Sequence, residues 1–275
     1  MSSIENNSGT KRVPFFILGC VRSGTTMLRD VLRLHPNLAC PEETHFYRWA
    51  EPFGTESMRR TLQSNATLRH HRALDGITED EFSKLLAHTR SRKDLYRQYM
   101  DLYIKRNKPA ATRWFDKTPQ NVYGAFIASS QFQYAKFIHI VRHPVNVAAS
   151  LRLGKVMKVD NLIGSINYWN ESILIIKSLK ALHSKRVHEL KYEDFTTNPK
   201  EQLTKILNFL KEPVDCIDFE QIKMRHVDHS NEDVLSEAEI LEICTHCEFG
   251  MRKYGYSLPP GLVMPAEESD GGEEQ

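Results

Sequence analysis

Residues 19–26, GCVRSGTT, follow directly on the apolar run VPFFIL at 13–18. Gly19 and Gly24 have the spacing of a phosphate-binding loop, G-x-x-x-x-G-K-[ST], but Thr25 stands where the lysine belongs and Arg22 lies inside the loop. The apolar run reads as a buried strand. Residues 25–34 then continue as a helix with Met27, Leu28, Val31 and Leu32 on one side. A strand that delivers a glycine loop into a helix can hold a phosphate on backbone N–H groups at the helix start. Few folds other than a parallel sheet with helices on both faces begin this way.

The rest of the chain repeats the alternation. ATRWFDKTPQN at 111–121 predicts a short strand ending at Asp116, with Pro119 opening a helix. KFIHIVRHP at 136–144 predicts a second core strand stopped by Arg142 and Pro144, with VNVAASL starting the next helix. Ile163, Ile166, Ile173, Ile176, Leu179 and Leu182 mark one long amphipathic helix over 161–183. RVHELKYEDF is expected to be a third strand ending in a turn, and NPKEQLTKILNFL a capped helix. Residues 56–108 offer weak helical periods and no strand. The expected architecture is therefore a three-layer, P-loop-like α/β fold, with a central parallel sheet flanked by helices. It is read as one domain over 13–257, with a helical acceptor-side insertion over about 45–108. Residues 1–12 and the acidic tail 258–275 are expected to be disordered.

The 275 residues carry 37 basic and 35 acidic side chains, a net charge of +2, so no general attraction to nucleic acid or to an anionic membrane is implied. Anion binding must be local. The polar start and the five cysteines without framework spacing lead to the expectation of a soluble, cytoplasmic chain. His226 and His229 with Cys244 and Cys247 have zinc-like spacings. Against this, Ile240, Cys244, Cys247, Met251 and Tyr254 recur at helical spacing, and a plain apolar stripe is the preferred reading.

In a parallel sheet, ligands collect at the carboxyl ends of the strands. There the first strand delivers Ser23, Gly24, Thr25 and Thr26. The 136–141 strand delivers Arg142, a bidentate phosphate ligand by geometry, and Ser150 lies eight residues on. The third strand delivers Tyr192, able to stack on or bond to a nucleotide. The loop PEETHFY offers Glu42, Glu43 and His45 as candidate bases.

These segments together resemble the sulfotransferases that use 3′-phosphoadenosine 5′-phosphosulfate. FILGCVRSGTTMLRDVLRLHPN resembles their 5′-phosphosulfate loop, and KFIHIVRHPVNVAASLR their 3′-phosphate element. LKYEDF and DKTPQN resemble two further family segments, all in the family's order from residue 13 to about 210. The closest motifs are those of tyrosylprotein and heparan sulfate sulfotransferases. The resemblance implies transfer of a sulfuryl group to an acceptor hydroxyl or amine, with no metal required. It implies Glu43 as general base, Lys117 as the cation on the transferring group, and Arg22 on the 5′ phosphate and the bridging oxygen. Expected donor-binding residues are Arg22, Ser23, Gly24, Thr25, Thr26, Arg142, Ser150 and Tyr192.

The chain departs from the cytosolic phenol and steroid enzymes, which carry a loop lysine and a histidine base. Their C-terminal nucleotide-covering loop is not recognisable over 223–233. The expected partner is an acceptor, whether sugar, peptide tyrosine or phenolic hydroxyl, with no nucleic acid or membrane; a homodimer is left open. Two rivals remain: a magnesium-dependent P-loop kinase or NTPase, and an inactive nucleotide-binding module. The first lacks its lysine at Thr25 and has Arg142 where an acidic metal ligand belongs. Arg59, Arg60, Arg69 and Arg72 are expected to be solvated helix surface.

Overall fold

A computed structural model describes residues 13–154, 158–159, 161–218, 222, 234–259 and 261–262. The chain divides into two compact units, Met1–Arg142 with Glu171–Val227, and His143–Asn170 with Asp228–Gln275.

The first unit is built on five parallel strands in the order β2-β3-β1-β4-β5. They are β1 (Phe15–Leu18), β2 (Leu38–Ala39), β3 (Arg113–Lys117), β4 (Lys136–Val141) and β5 (Val187–Lys191). β1 lies at the centre, with Phe15 opposite Phe115 on one side and Lys136 on the other. All four of its side chains are buried, as a central parallel strand covered on both faces requires. Alternation along β1 sorts the core. Phe15 and Ile17 join Phe115, Ile138 and Ile140 on one face, while Phe16 and Leu18 join Trp114 and Phe137 on the other.

Helix α1 (Thr25–Arg33) covers the first face with Leu28, Val31 and Leu32. Four helices stand between β2 and β3: α2 (Glu56–Ser64), α3 (Ala66–Leu74), α4 (Glu79–His88) and α5 (Arg92–Asn107). Thr55, Asn65, Thr78 and Ser91 cap them by accepting backbone N–H bonds. They feed Phe82, Tyr96 and Tyr99 into the second face, where Tyr96 stacks on Trp114 at 5.7 Å. A 3-10 turn (Pro119–Gly124) leads into α6 (Ala125–Gln131).

The second unit holds α7 (Pro144–Arg152), whose Arg152 pairs with Glu239 at 2.6 Å. Helix α8 (Leu162–Leu182) runs through both stretches of sequence. Of its expected apolar stripe, Ile166, Ile173, Ile176 and Leu179 are buried, but Ile163 and Leu182, one at each end, are exposed.

After β5 the expected turn is instead a short helix, α9 (Tyr192–Thr197), with Glu193 and Asp194 in its first turn, where acids suit the helix dipole. α10 (Pro199–Leu210) buries Leu203, Ile206, Leu207 and Leu210, but Asn198 makes no side-chain cap; Pro199 at the first turn sets the start. α11 (Glu237–His246) and α12 (Glu248–Tyr254) complete the second unit. Cys247 lies at their junction, so the expected stripe is divided between two helices. Cys244 and Cys247 are buried in it, whereas His226 and His229 lie outside the described residues. Among the described residues, no helix is long and apolar enough to cross a membrane.

Candidate active site

The loop after β1 turns through two left-handed residues, Arg22 at φ 68° and Gly24 at φ 89°, the second being the N-cap of α1. Arg22 and Thr26 are exposed, while Ser23 and Thr25 are buried within the turn. A Cβ on Gly24 would stand 2.4 Å from Cδ2 of Tyr192, so the ring at the end of β5 lies directly on the loop. Arg142, at the end of β4, rests its guanidinium over that ring at 4.5 Å and donates from Nη1 to the Arg22 carbonyl at 3.4 Å. Arg22, Gly24, Arg142 and Tyr192 are thus gathered from the ends of β1, β4 and β5. Ser150 is buried on α7 of the second unit.

On the other side of β1, β3 runs one residue further than expected and takes in Lys117, whose side chain is only 1% exposed. Its ammonium donates to Thr26 Oγ1 at 3.1 Å and forms a short ion pair with Glu43 Oε1. His45 turns its Nε2 to the other carboxylate oxygen at 3.4 Å. Burial alone would raise the Glu43 pKa, but the His45 contact and the Lys117 ammonium outweigh it and hold the carboxyl at about 2. Burial lowers the pKa of His45, against the pull of Glu43. Neutral His45 therefore supports the carboxylate at pH 7, and of the three candidate bases it is Glu43 that is linked to the loop, through Lys117.

Glu42 is engaged elsewhere. Arg29 Nη1 donates to its Oε2 at 2.6 Å and Arg33 Nη1 to its Oε1 at 3.1 Å, both from α1. Asp116 is fully buried and accepts from Thr44 Oγ1 at 2.8 Å and Asn121 Nδ2 at 2.9 Å. Burial raises its pKa to about 6 despite these donors. It fastens the base loop to β3 and makes no contact with the phosphate loop among the hydrogen bonds of the described residues.

Sequence reasoning passes over several neighbours. Arg29 and Arg33, four apart on α1, form a ready clamp for a carboxylate, and that spacing is a usable signal. Thr44, His71 and Asp75 give none, because their partners lie far off in sequence. Arg72 corrects an expectation. It is buried, not solvated, with Nε and Nη2 each 2.7 Å from a Glu79 oxygen and its guanidinium 4.1 Å above Phe82. His139 is buried with Nδ1 3.8 Å from Glu189, in keeping with packing.

The family model described as "Sulfotransferase family" matches residues 14–216. The chain is 26% identical over 204 residues to a protein-tyrosine sulfotransferase of Drosophila melanogaster, covering 72% of this chain and 38% of that protein. It is 22% identical over 254 residues to protein-tyrosine sulfotransferase A of Caenorhabditis elegans, covering 87% of this chain and 63% of that one. The chain thus spans less than two thirds of either relative. Among solved structures, the sulfotransferase domain of the Synechococcus PCC 7002 olefin synthase superposes with a TM-score of 0.64 at 23% identity, over 94% of this chain and all of that one. The sulfotransferase domain of the curacin biosynthetic pathway gives 0.58 at 21%, over 90% and all. At these identities the superpositions speak to fold.

Proposed function

This chain belongs to the sulfotransferase family, and from that premise we propose that it moves a sulfuryl group from 3′-phosphoadenosine 5′-phosphosulfate to an acceptor hydroxyl or amine, with Glu43 as general base. One observation carries the reading: the Lys117 ammonium joins the Glu43 carboxylate to Thr26, in the first turn of α1 beside the phosphate loop. In-line sulfuryl transfer asks for a proton acceptor at the attacking oxygen and for positive charge on the oxygens of the group in flight. These two side chains supply both at the mouth of a loop built to hold phosphate. Arg22, Ser23, Gly24, Thr25 and Thr26 would hold the 5′ end of the donor. Arg142 and Tyr192 are assigned to its nucleoside and 3′ phosphate.

The ion pair bears on timing. With Lys117 paired to it, the Glu43 carboxylate is ionised at neutral pH but held down at about 2, and so is a weak base. An incoming sulfuryl group would compete for Lys117, remove one of the contacts that hold the carboxylate down, and strengthen the base where it is needed. Asp116 stays out of the chemistry and orients the loop.

The relatives named for protein tyrosine make a tyrosine peptide the first acceptor to try, beside a glycan and a phenol. A radiolabelled-sulfate donor assay over that panel tests the class. Glu43→Gln should lose about 10²-fold or more in turnover while adenosine 3′,5′-bisphosphate still raises its melting temperature. Unchanged turnover removes Glu43 as the base. Equal stabilisation of the natural protein by that nucleotide without magnesium and by ATP with magnesium would sink the donor assignment.

A further inference from the structure

His71 and Asp75 are four residues apart on α3 and at its C-cap, and therefore share one face of the helix. That face meets the backbone of the base loop. Asp75 Oδ1 accepts the Glu42 N–H at 2.8 Å, and its Oδ2 accepts the Tyr99 hydroxyl at 2.6 Å from α5. Asn107, also on α5, donates to the Asp75 carbonyl at 2.9 Å. His71 Nδ1 lies 3.0 Å from the Glu43 carbonyl oxygen; a carbonyl only accepts, so this nitrogen carries the proton. The His71 ring also lies parallel to that of His45, 6.2 Å between centroids and 12° between planes. The Glu42 side chain is taken by Arg29 and Arg33. The Glu43 carboxylate is the one turned to Lys117.

We propose that His71 and Asp75 are positioning residues for the transfer, with α3 gripping the main chain at Glu42 and Glu43 so that the Glu43 carboxylate is aimed at the reacting group. The proposal rests on the reading of Glu43 as base. It gives the helices between β2 and β3 a part in the chemistry that covering the core does not require. The geometry is specific: one residue takes the N–H ahead of the base and the other the C=O of the base itself. Losing either bond frees the loop on one side only. Misplacement of a reacting group by about 1 Å can cost about 10²-fold in rate.

The test uses His71→Ala, His71→Asn, Asp75→Ala and Asp75→Asn, each with the natural Glu43 and with Glu43→Gln. Turnover is followed with radiolabelled donor, and nucleotide binding by the melting shift with adenosine 3′,5′-bisphosphate. The alanine variants should lose about 10- to 100-fold in kcat, with the donor KM changed by no more than about twofold. Asparagine keeps a donor near the position of Nδ1, or an acceptor in place of Oδ1, and should recover most of the loss. In the Glu43→Gln background the alanine changes should lower residual turnover by less than about twofold, because the group they aim is gone.

Equal losses in both backgrounds, or no recovery with asparagine in a protein that still binds nucleotide, overturn the clamp while leaving Glu43 as base. A fully active Glu43→Gln overturns the base reading, and the clamp falls with it. His71 is only half-buried, so its pair of variants decides the matter if Asp75→Ala does not fold. The alanine–asparagine comparison decides it if Glu43→Gln has no measurable turnover.

Discussion

Gly24→Ala is the most informative single perturbation of the loop. The residue sits at φ 89°, where an L side chain costs about 1–2 kcal/mol. The new Cβ would also stand 2.4 Å and 2.8 Å from two ring carbons of Tyr192. Carbon contacts relax only at about 3.5–4.0 Å, so the ring must retreat by about 1 Å. It would carry the Arg142 guanidinium stacked on it. Overpacking of this kind costs about 1–3 kcal/mol, for a total of roughly 2–5 kcal/mol. For a chain of this size that is a fall of roughly 5–15 °C in melting temperature.

Gly54→Ala separates the two contributions. Gly54 has φ 90°, and a Cβ added to it would meet nothing within 4 Å. It should therefore show the backbone cost alone, about 1–2 kcal/mol. Thermal unfolding of both variants, with and without adenosine 3′,5′-bisphosphate, measures the difference. Gly24→Ala should melt well below Gly54→Ala and lose most of the nucleotide-induced shift. If the two melt within about 2 °C of one another, the ring does not press on the loop and the reasoning fails.

Three further outcomes are expected. Glu43 has its pKa lowered in the fold, so the stability it contributes is present above about pH 4.5 and lost as pH falls toward about 2. Lys117→Met weakens that contribution, so the stability gap between wild type and variant in urea should narrow from pH 5 to pH 3; a constant gap contradicts the pairing. Asp116 has its pKa raised to about 6 by burial, so the folded state holds its proton longer and stability is lost as pH rises from about 4 to about 6. Asp116→Asn removes this dependence, and its unfolding free energy from urea titration, relative to wild type, should improve between pH 4.5 and 7.5 by up to about 3 kcal/mol; the opposite trend would refute it. Arg72→Ala should cost about 2–3 kcal/mol, less than a fully buried pair because Glu79 is partly exposed, with an unchanged nucleotide shift. A weakened acceptor KM without loss of melting temperature would instead put Arg72 in acceptor binding.

The core of the first unit is legible because burial on both faces leaves an uninterrupted apolar run. FFIL and FIHIV can hardly be anything but central strands once a glycine loop or an Arg-Pro stop follows them. β2 is not legible. Two residues, Leu38 and Ala39, carry no period, and their strand character comes from pairing with Arg113 and Trp114 of β3. α9 reads as a turn because six residues give too little period to outweigh the polar Tyr-Glu-Asp.

The site divides in the same way. Gly24 and Arg142 can be found from strand ends. Lys117 is singled out by the family resemblance. Its burial is matched by the Glu43 carboxylate, which balances its charge, and by Thr26 Oγ1, which accepts a hydrogen bond from it. Arg72 reads as solvated beside its exposed neighbour Arg69 on the same helix, and nothing in the sequence announces Glu79 and Phe82 as its partners.

The central position of β1 has a kinetic consequence. Residue 15 pairs with residues 115 and 136, so neither flank of the phosphate loop exists until chain made about a hundred residues later has folded back. Closing such long loops is slow, and the unpaired edges of β1 are exposed meanwhile to association with other chains. Because only the completed sheet brings Lys117 and Arg142 to either side of the loop, the nucleotide has no partial site to bind. Adding adenosine 3′,5′-bisphosphate to a refolding mixture should therefore raise the final yield of native protein by mass action, without accelerating the steps that precede strand pairing.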